Sequence, residues 1–271
     1  MLSRLLSLDH VNVIAHRGGS KVRPENTLVA FEHALTLGAD AIECDVHLSR
    51  DGEPVVIHDP TLDRTTDARG PVSGLSAAEL GRVDAGFQFK PAEGHPFRGR
   101  SGGVPRLSEV LDRFRMPFIV EIKGNRPEVA DTVLGVIAEA KALDRVIVGG
   151  FSQAVLERVR RLNKDAITSA SKLEARFALY RSYVRMVPTD PEYWVFQVPY
   201  RFRGRRRFRR AFVETVGRVN LPVQEWVVDD ANDMRNLIDW GANGIITDRP
   251  DLAMTIVKLS GGSEQPRLMR F

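Results

Sequence analysis

The chain has 271 residues, a formal net charge of +4 at pH 7 and 43% hydrophobic residues, values typical of a soluble globular protein with a full core. Its single cysteine, Cys44, excludes an internal disulfide and any zinc site made of several cysteines. No stretch has the roughly 20 apolar residues that a membrane-spanning helix needs. The first residues also lack a secretory h-region, so we expect a cytoplasmic protein.

Predicted strands and helices alternate along most of the chain. Short apolar runs predict strands at Val11–Ala15, Ile42–Leu48, Pro54–Ile57, Pro117–Lys123, Val146–Gly150, Ala166–Ser169, Trp194–Val198, Pro222–Val227 and Gly244–Thr247. Helical spacing predicts one helix from an N-cap at Asn26 to Leu37 and others at Ser76–Val83, Leu107–Phe114, Pro127–Leu143, Gln153–Leu162, Leu173–Tyr183, Arg205–Val219, Ala231–Trp240 and Asp251–Leu259. The tail at 261–271 is expected to fray.

One long irregular segment, from about Pro60 to Pro105, interrupts the alternation. Leaving the returning strand Pro54–Ile57 aside, eight strands remain, most of them followed by helices, which indicates a parallel sheet. Eight such units in about 250 residues predict a single α/β domain over residues 1–271. Its predicted architecture is a (β/α)8 TIM barrel with a small insertion, at about 60–105, after the second strand and its hairpin. An open doubly wound sheet is the alternative, but no Gly-x-Gly-x-x-Gly or Walker-type loop follows a strand.

The second strand and its return predict a hairpin around Asp51-Gly52. If these two residues form the turn, Asp45 lies opposite His58 on one face of the sheet. Glu43 comes two residues before Asp45 and points to the same side. Because buried carboxylates are costly unless they are paired or bound to a metal, this convergence indicates a functional site.

Polar side chains are predicted at the carboxyl ends of the barrel strands, where the active sites of such barrels lie. They are His16 and Arg17 after the first strand, Glu43 and Asp45 on the second, Glu121 and Lys123 on the third, Gln197 on the sixth, Trp226 on the seventh, and Asp248 and Arg249 after the eighth. Three carboxylates form an oxygen-rich site that suits Mg²⁺ or Ca²⁺ better than zinc. In the alternative, Arg17 and Lys123 pair with the acids and no metal binds, although three acids against two bases leave surplus negative charge.

Two histidines, His16 and His58, stand at the ends of such runs beside acids or arginine. Imidazole exchanges protons near neutral pH, so the pair could deprotonate a nucleophile and protonate a leaving alkoxide. Together with a metal, Arg17 and Lys123, they favour an anionic substrate such as a phosphate ester. Gly18 and Gly19 are expected to let backbone amides approach that anion.

With these residues in place, the chain resembles the glycerophosphodiester phosphodiesterase family over nearly its whole length. The matching motifs are His16-Arg17-Gly18, Pro24-Glu25-Asn26-Thr27, Glu43-x-Asp45-Val46, Asp51-Gly52-x-Pro54-Val55-Val56-Ile57-His58-Asp59, Glu121-x-Lys123 and Gly244-Ile245-Ile246-Thr247-Asp248-Arg249-Pro250. The resemblance implies a (β/α)8 barrel whose insertion is the 60–105 segment.

The resemblance also implies a role for individual residues. Glu43, Asp45 and Glu121 would be the metal ligands, His16 and His58 the acid and base, and Arg17 and Lys123 substrate contacts. The implied reaction is hydrolysis of glycerophosphodiesters to sn-glycerol 3-phosphate and an alcohol with Ca²⁺ or Mg²⁺. Gln197 and Trp226 are expected to contact the substrate from the same rim. Two departures are Val227-Val228-Asp229 where Thr-Val-Asn is commoner, and Asn243 where Asp is usual.

Seven arginines lie between Arg201 and Arg210, interleaved with phenylalanines. Basic residues interleaved with aromatics suit either a solvated helix face, whose arginines pair with nearby acids, or contact with an anionic membrane surface, and nucleic acid is less favoured. Two other functions stay open. One is lysophospholipase D activity, set by Phe87, Phe89 and Phe97 of the insertion, and the other is a non-catalytic barrel that binds phosphodiesters or membranes.

Overall fold

Alternating helices and strands make up the computed structural model, which describes residues 2–91, 94–202, 205–206 and 210–260. The strands are β1 (Asn12–His16), β2 (Ala41–Leu48), β3 (Pro54–Val56), β4 (Phe118–Ile122), β5 (Val146–Gly149), β6 (Ile167–Thr168), β7 (Phe196–Pro199), β8 (Arg201–Phe202), β9 (Arg205–Arg206), β10 (Val223–Trp226) and β11 (Gly244–Thr247). The α-helices are α1 (Leu2–Leu5), α2 (Leu28–Leu37), α3 (Ala77–Leu80), α4 (Leu107–Arg113), α5 (Val129–Glu139), α6 (Gln153–Leu162), α7 (Lys172–Ser182), α8 (Arg210–Gly217), α9 (Ala231–Trp240) and α10 (Pro250–Leu259).

Eight parallel strands pair in the order β6-β5-β4-β2-β1-β11-β10-β7. The two ends of this order meet through a parallel bridge between Ser169 and Val195. Backbone hydrogen bonds join the same two ends, from Ala170 N to Val195 O at 2.9 Å and from Trp194 N to Thr168 O at 2.9 Å. The sheet therefore closes on itself, and the predicted (β/α)8 TIM barrel is confirmed, whereas an open doubly wound sheet is wrong.

The amino-terminal end of the barrel is filled by apolar side chains from alternate strands. They pack with the buried Leu2 and Leu5 of α1, a helix that the sequence did not predict. Asn243 fixes this helix because its side-chain amide donates to Leu5 O at 3.0 Å and to Ser7 O at 2.8 Å. A carboxylate cannot donate these bonds, which explains why asparagine stands at this position.

The segment between β3 and α4 contains a 3-10 helix at Val72–Gly74 and the short helix α3. Its apolar residues, among them Leu62, Val72 and Leu80, form a separate cluster with Val55 and Ile57 of the hairpin. Ser76 caps α3 through a capping box with Glu79. The segment thus packs against the hairpin and stands beside the carboxyl end of the barrel.

Two local predictions are wrong. Asn26 does not cap α2, because Thr27 does so by accepting from Ala30 N. Arg205–Arg206 is a strand, β9, paired antiparallel with β8, so the basic helix begins only at Arg210. The predicted tail at 261–271 and the side chains of 202–209 lie outside the described residues.

The hairpin register also differs from the prediction. Val46 pairs with Val56 and Leu48 with Pro54, which puts Asp45 opposite Ile57 rather than His58. The loop has three residues, closed by Ser49 N donating to Glu53 O at 3.0 Å, and its last residue, Gly52, has a φ of 80°. A three-residue loop with glycine in the left-handed region shifts the pairing by one position relative to a two-residue turn.

In the part of the chain that the structure describes, none of the helices combines the length and the apolar character needed to cross a bilayer.

Candidate active site

Three acidic side chains meet at the carboxyl end of the barrel. Glu43 and Asp45 point inward from β2, and Glu121 points inward from β4, where Asp45 and Glu121 are register partners. One carboxylate oxygen from each lies within 4.8 Å of the other two. The period-two spacing of the two strands therefore brings the three predicted ligands together.

Two cations hold part of this negative charge. Lys123 Nζ lies 2.8 Å from Asp45 Oδ1 and 2.5 Å from Glu121 Oε1. Arg17 Nε lies 3.1 Å from Asp45 Oδ2. Burial alone would raise the pKa of Asp45, but the charges of Lys123 and Arg17 outweigh it and lower the pKa below its usual value.

Within the described residues, Glu43 is the acid of the three that makes no ion pair with Lys123 or Arg17. Its carboxylate accepts from the backbone N of Arg17 at 3.2 Å and lies 3.9 Å from His16 Nε2. Burial and the charge of Asp45 raise the pKa of Glu43 to about 8. The raised pKa shows that a third negative charge is costly in this buried set of oxygen donors. A hard divalent cation would remove that cost, so the three residues fit Mg²⁺ or Ca²⁺. The ion pairs of the metal-free alternative are present, but they do not reach Glu43.

His16 stands on the Glu43 side of the acidic cluster. Its Nδ1 lies 2.6 Å from Asp248 Oδ1, which leaves Nε2 facing the cluster. Burial lowers the pKa of His16, but the hydrogen bond to Asp248 and the charge of Glu43 outweigh it and raise the pKa. Asp248 is fixed in turn because its backbone N donates to Asp229 Oδ1 at 2.9 Å. Asp229 also accepts from Lys21 Nζ at 2.7 Å, so this departure from the usual asparagine supports the Asp248 turn.

His58 stands on the other side of the acidic cluster, within electrostatic reach of Asp45 and Glu121. Burial nevertheless raises the pKa of Glu121 above its usual value. Its Nδ1 lies 2.6 Å from Asp59 Oδ1. The hairpin ends at Val56, and His58 reaches the site from the turn beyond it. The convergence predicted from the sequence is therefore present, although the cross-strand pairing from which it was inferred is wrong.

Arg64, from the segment after the hairpin, bonds both Asp59, the partner of His58, and Glu25, the partner of Arg17. Its Nε and Nη2 lie 2.7 and 3.1 Å from the two oxygens of Asp59. Its Nη1 and Nη2 lie 2.7 and 2.8 Å from the two oxygens of Glu25. Glu25 also accepts from Arg17 Nη1 at 2.9 Å, so one chain of charged contacts runs from His58 to the arginine beside Asp45.

The two glycines in the loop after β1 allow that loop to pack closely against the neighbouring helices. Gly18 N donates to Ala15 O at 3.1 Å and Gly19 N to His16 O at 2.8 Å, so these amides are already used within the loop. At φ values of 82° and 99°, a Cβ on Gly18 would lie 2.7 Å from Ala30 and one on Gly19 would lie 2.8 Å from Pro250. Both glycines therefore serve close packing. That they let backbone amides approach an anion stays a prediction, to which their own amides do not contribute.

Gln197 and Trp226 lie on the far wall of the barrel. Gln197 points into the interior, and its Nε2 donates to Gln224 Oε1 at 3.0 Å. Trp226 packs edge to face against Phe151, with ring centroids 5.8 Å apart. Phe151 also lies beneath Lys123, whose Nζ is 5.9 Å from the ring centre. These aromatic rings give the polar site one apolar wall.

Some residues of the site were given no role in it from the sequence alone. They are Glu25, Asn26, Asp59, Arg64, Phe151, Asp229 and, as the group that orients His16, Asp248. Asn26, with a φ of 56°, donates from Nδ2 to Asp45 Oδ2 at 2.8 Å. The available signal was position, because Asp59 directly follows His58 and Phe151 follows the end of a strand. The contacts of Glu25 and Arg64 are between distant segments and left no local signal.

Comparison with known proteins gives the family. The sequence model of the Glycerophosphoryl diester phosphodiesterase family matches residues 16–252. The chain belongs to this family. A family member from Caldanaerobacter subterraneus subsp. tengcongensis, named glycerophosphodiester phosphodiesterase, is 32% identical over 268 residues, which cover 92% of this chain and 98% of that protein. The resemblance inferred from the motifs is thereby confirmed.

Solved structures show the same fold. The crystal structure of glycerophosphodiester phosphodiesterase from Agrobacterium tumefaciens str. C58 has a TM-score of 0.72 at 27% identity and covers 90% of this chain and 99% of that one. A second structure is that of an Oleispira antarctica phosphodiesterase in complex with the product sn-glycerol-3-phosphate. It has a TM-score of 0.76 at 23% identity, and the match covers 92% of this chain and 97% of that protein's chain.

Proposed function

We propose that this chain hydrolyses glycerophosphodiesters to sn-glycerol 3-phosphate and an alcohol. One observation carries the proposal. Three carboxylates lie within 4.8 Å of one another between two histidines, and each histidine is held through Nδ1 by its own aspartate. Such an arrangement can bind a cation and exchange two protons at one phosphate. Residues 1–271 would then form one catalytic domain with the segment at about 60–105 as its insertion.

Glu43, Asp45 and Glu121 would hold the divalent ion, Mg²⁺ or Ca²⁺. When bound, the ion would supply charge stabilisation at the phosphate oxygens and lower the pKa of a coordinated hydroxyl. Arg17 and Lys123 would contact the phosphate, since both lie at the rim of the acidic cluster. Gln197 and Trp226 would line the side of the pocket that receives the glycerol or head group.

His16 and His58 would transfer the protons. With Nδ1 of each ring held by an aspartate, Nε2 is the nitrogen left to face the substrate. One histidine takes the proton of the attacking hydroxyl and the other gives a proton to the departing alkoxide.

The test is a screen of purified protein against glycerophosphodiesters that differ in head group. After EDTA treatment we expect no release of choline or ethanolamine, and recovery when Mg²⁺ or Ca²⁺ is added back. Asp45→Asn should not recover with either metal. Turnover that persists after chelation would contradict the metal site, and no turnover with any head group would favour a non-catalytic phosphodiester-binding barrel.

Hydrolysis of lysophospholipids, the lysophospholipase D reaction, is the second candidate. The observation that favours it is the apolar wall at the site, where Phe151 is 48% exposed beside Trp226. The three phenylalanines of the insertion that were predicted to select lipids already have partners. Phe89 and Phe97 pack on each other, and Phe87 packs under Arg98. Comparing glycerophosphocholine with lysophosphatidylcholine would separate the two substrates.

The predicted membrane contact through Arg201–Arg210 and the cytoplasmic, peripheral location stay proposals, and we expect no nucleic acid partner. Residues 203–204 and 207–209 lie outside the described residues. At the two ends of the stretch, Arg201 Nη2 lies 2.6 Å from Asp233 and Arg210 Nε lies 2.6 Å from Glu214. These ion pairs at both ends of the stretch support the alternative to membrane contact, in which the arginines pair with nearby acids of the same protein.

A further inference from the structure

Helix α7 has apolar side chains on two opposite faces. Its barrel face carries the buried residues Ala175, Ala178, Leu179 and Ser182. On the outward face, Leu173, Phe177 and Tyr180, with Val184 just beyond the helix, follow one another at spacings of four, three and four residues and form a single stripe. They are 53%, 63%, 58% and 67% exposed, respectively. We call these four residues the α7 stripe.

The concentration of exposed apolar surface around the α7 stripe is unusual within the described chain. Of the twelve large apolar side chains that are exposed there, seven fall between Leu173 and Trp194, the other three besides the stripe being Tyr183, Met186 and Trp194 itself. Single exposed apolar residues are normal on protein surfaces, but a contiguous exposed patch marks an interaction site. The outward face of α7 is therefore a candidate interaction surface.

Positive charge flanks the stripe on both sides. Arg176 and Arg181 lie one residue before and one after the Phe177–Tyr180 pair. Lys172 is the first residue of the helix, and Arg185 lies three residues beyond its end. The guanidinium of Arg181 lies 5.8 Å from the ring centre of Phe177. The one acid within the helix, Glu174, is held by Arg160 Nη1 at 2.8 Å. The α7 stripe thus combines apolar side chains with cations that carry no balancing acid on the same helix.

We propose that the α7 stripe binds the surface of a bilayer that contains anionic phospholipids. Apolar and aromatic side chains flanked by lysine and arginine suit the boundary between head groups and acyl chains. Each basic residue near an anionic surface adds roughly 1 kcal/mol of attraction. A second copy of this chain fits less well, because a twofold interface would place the same four cations against themselves.

The position of the stripe gives the contact a consequence for the active site. Helix α7 begins at the carboxyl end of the barrel, and Lys172 N donates to Phe151 O at 3.3 Å. Phe151 packs on Trp226 in the apolar wall of the site. With its side on the bilayer, the barrel would open next to the lipid surface. This last consequence rests on the proposed phosphodiesterase activity, whereas vesicle binding itself does not.

Co-sedimentation of the full chain with vesicles tests the proposal. We expect binding to phosphatidylcholine vesicles that contain phosphatidylglycerol, and at least tenfold weaker binding to phosphatidylcholine alone. The double variant Phe177→Ser, Tyr180→Ser should lose at least tenfold of the binding to the anionic vesicles. Arg176→Ser with Arg185→Ser should weaken the same binding and reduce its dependence on salt.

Matched controls separate the stripe from general stickiness and from the catalytic proposal. Leu35 on α2 is 51% exposed and Leu259 on α10 is 79% exposed, so Leu35→Ser and Leu259→Ser remove similar surface elsewhere and should bind vesicles as the parent chain does. All these variants should hydrolyse a water-soluble glycerophosphodiester at the parent rate. Equal vesicle binding by the parent and the Phe177, Tyr180 variant would overturn the proposal, as would a dimer in solution that this variant dissociates. Vesicle binding without any hydrolysis would support membrane binding by the α7 stripe and would refute the proposed function instead.

Discussion

Replacing Arg64 tests whether the charged chain from His58 to Arg17 serves the reaction. Arg64 makes two contacts with Asp59 and two with Glu25, all between 2.7 and 3.1 Å. Arg64→Ala removes the group that fixes Asp59, and Asp59 is what orients His58. A hydrogen bond to a charged group contributes about 1.5–3 kcal/mol. Because the Arg64 side chain is 46% exposed and water would replace part of the contact, we take the lower end, which is about a tenfold loss in kcat.

The assay is steady-state release of choline from glycerophosphocholine, with thermal unfolding measured in parallel. Arg64→Lys keeps the charge but loses the fork of donors, so it should recover only part of the rate, and added guanidinium should partly rescue Arg64→Ala. The matched control is Arg50→Ala, since Arg50 bonds Glu79 at 2.9 Å away from the site and should leave kcat unchanged. Parent kinetics in Arg64→Ala, or an equal loss in the Arg50 variant, would refute the positioning role.

Three further substitutions have clear expected outcomes. His16→Ala and His58→Ala should each lower kcat by at least about 100-fold while the far-UV circular dichroism stays unchanged, and near-parent turnover in either would reject the acid and base assignment. Glu225 is fully buried on β10 with neither carboxylate oxygen bonded, and burial raises its pKa well above 4.5. The folded chain therefore keeps a proton there that the unfolded chain loses above pH 4.5, so the free energy of unfolding falls as pH rises through that window, by up to about 1.4 kcal/mol per pH unit. Glu225→Gln should raise the midpoint of thermal unfolding above that of the parent at pH 8 but not at pH 4, and equal midpoints for variant and parent at pH 8 would contradict the buried, protonated state.

The inward-facing acids could be predicted because strand periodicity is a local property. Glu43 and Asp45, like Glu121 and Lys123, are two residues apart, and the parallel register of β2 with β4 puts Asp45 beside Glu121. No tertiary information was needed once the two segments were recognised as barrel strands. The same argument applies to His16, which is the register partner of Glu43.

The hairpin register could not be predicted from Asp51-Gly52 alone, because the loop is chosen by contacts with a distant segment. Ala77 N donates to Asp51 Oδ1 at 2.9 Å, and Arg50 N donates to Leu75 O at 2.8 Å. These bonds hold the loop against α3 and favour the three-residue turn. Propensity at a turn is a weak signal when the turn is docked in this way.

The chain of contacts through Glu25 and Arg64 was beyond sequence reasoning for a similar reason. The two residues are 39 positions apart, and each lies in a turn. Only the folded chain shows that Arg64 joins Asp59 to Glu25. The basic helix predicted at Arg205 was wrong because arginine favours helices in isolation, whereas Arg205–Arg206 pairs with β8 directly after the barrel strand β7.

Hydrolysis of glycerophosphocholine in ¹⁸O-labelled water, followed by ³¹P NMR and mass spectrometry, tests the central claim most directly. The proposed site cleaves the bond between phosphorus and the head-group oxygen, so the account predicts sn-glycerol 3-phosphate that carries ¹⁸O and choline that carries none. Phosphocholine as the product, or label in the released alcohol, would contradict the account.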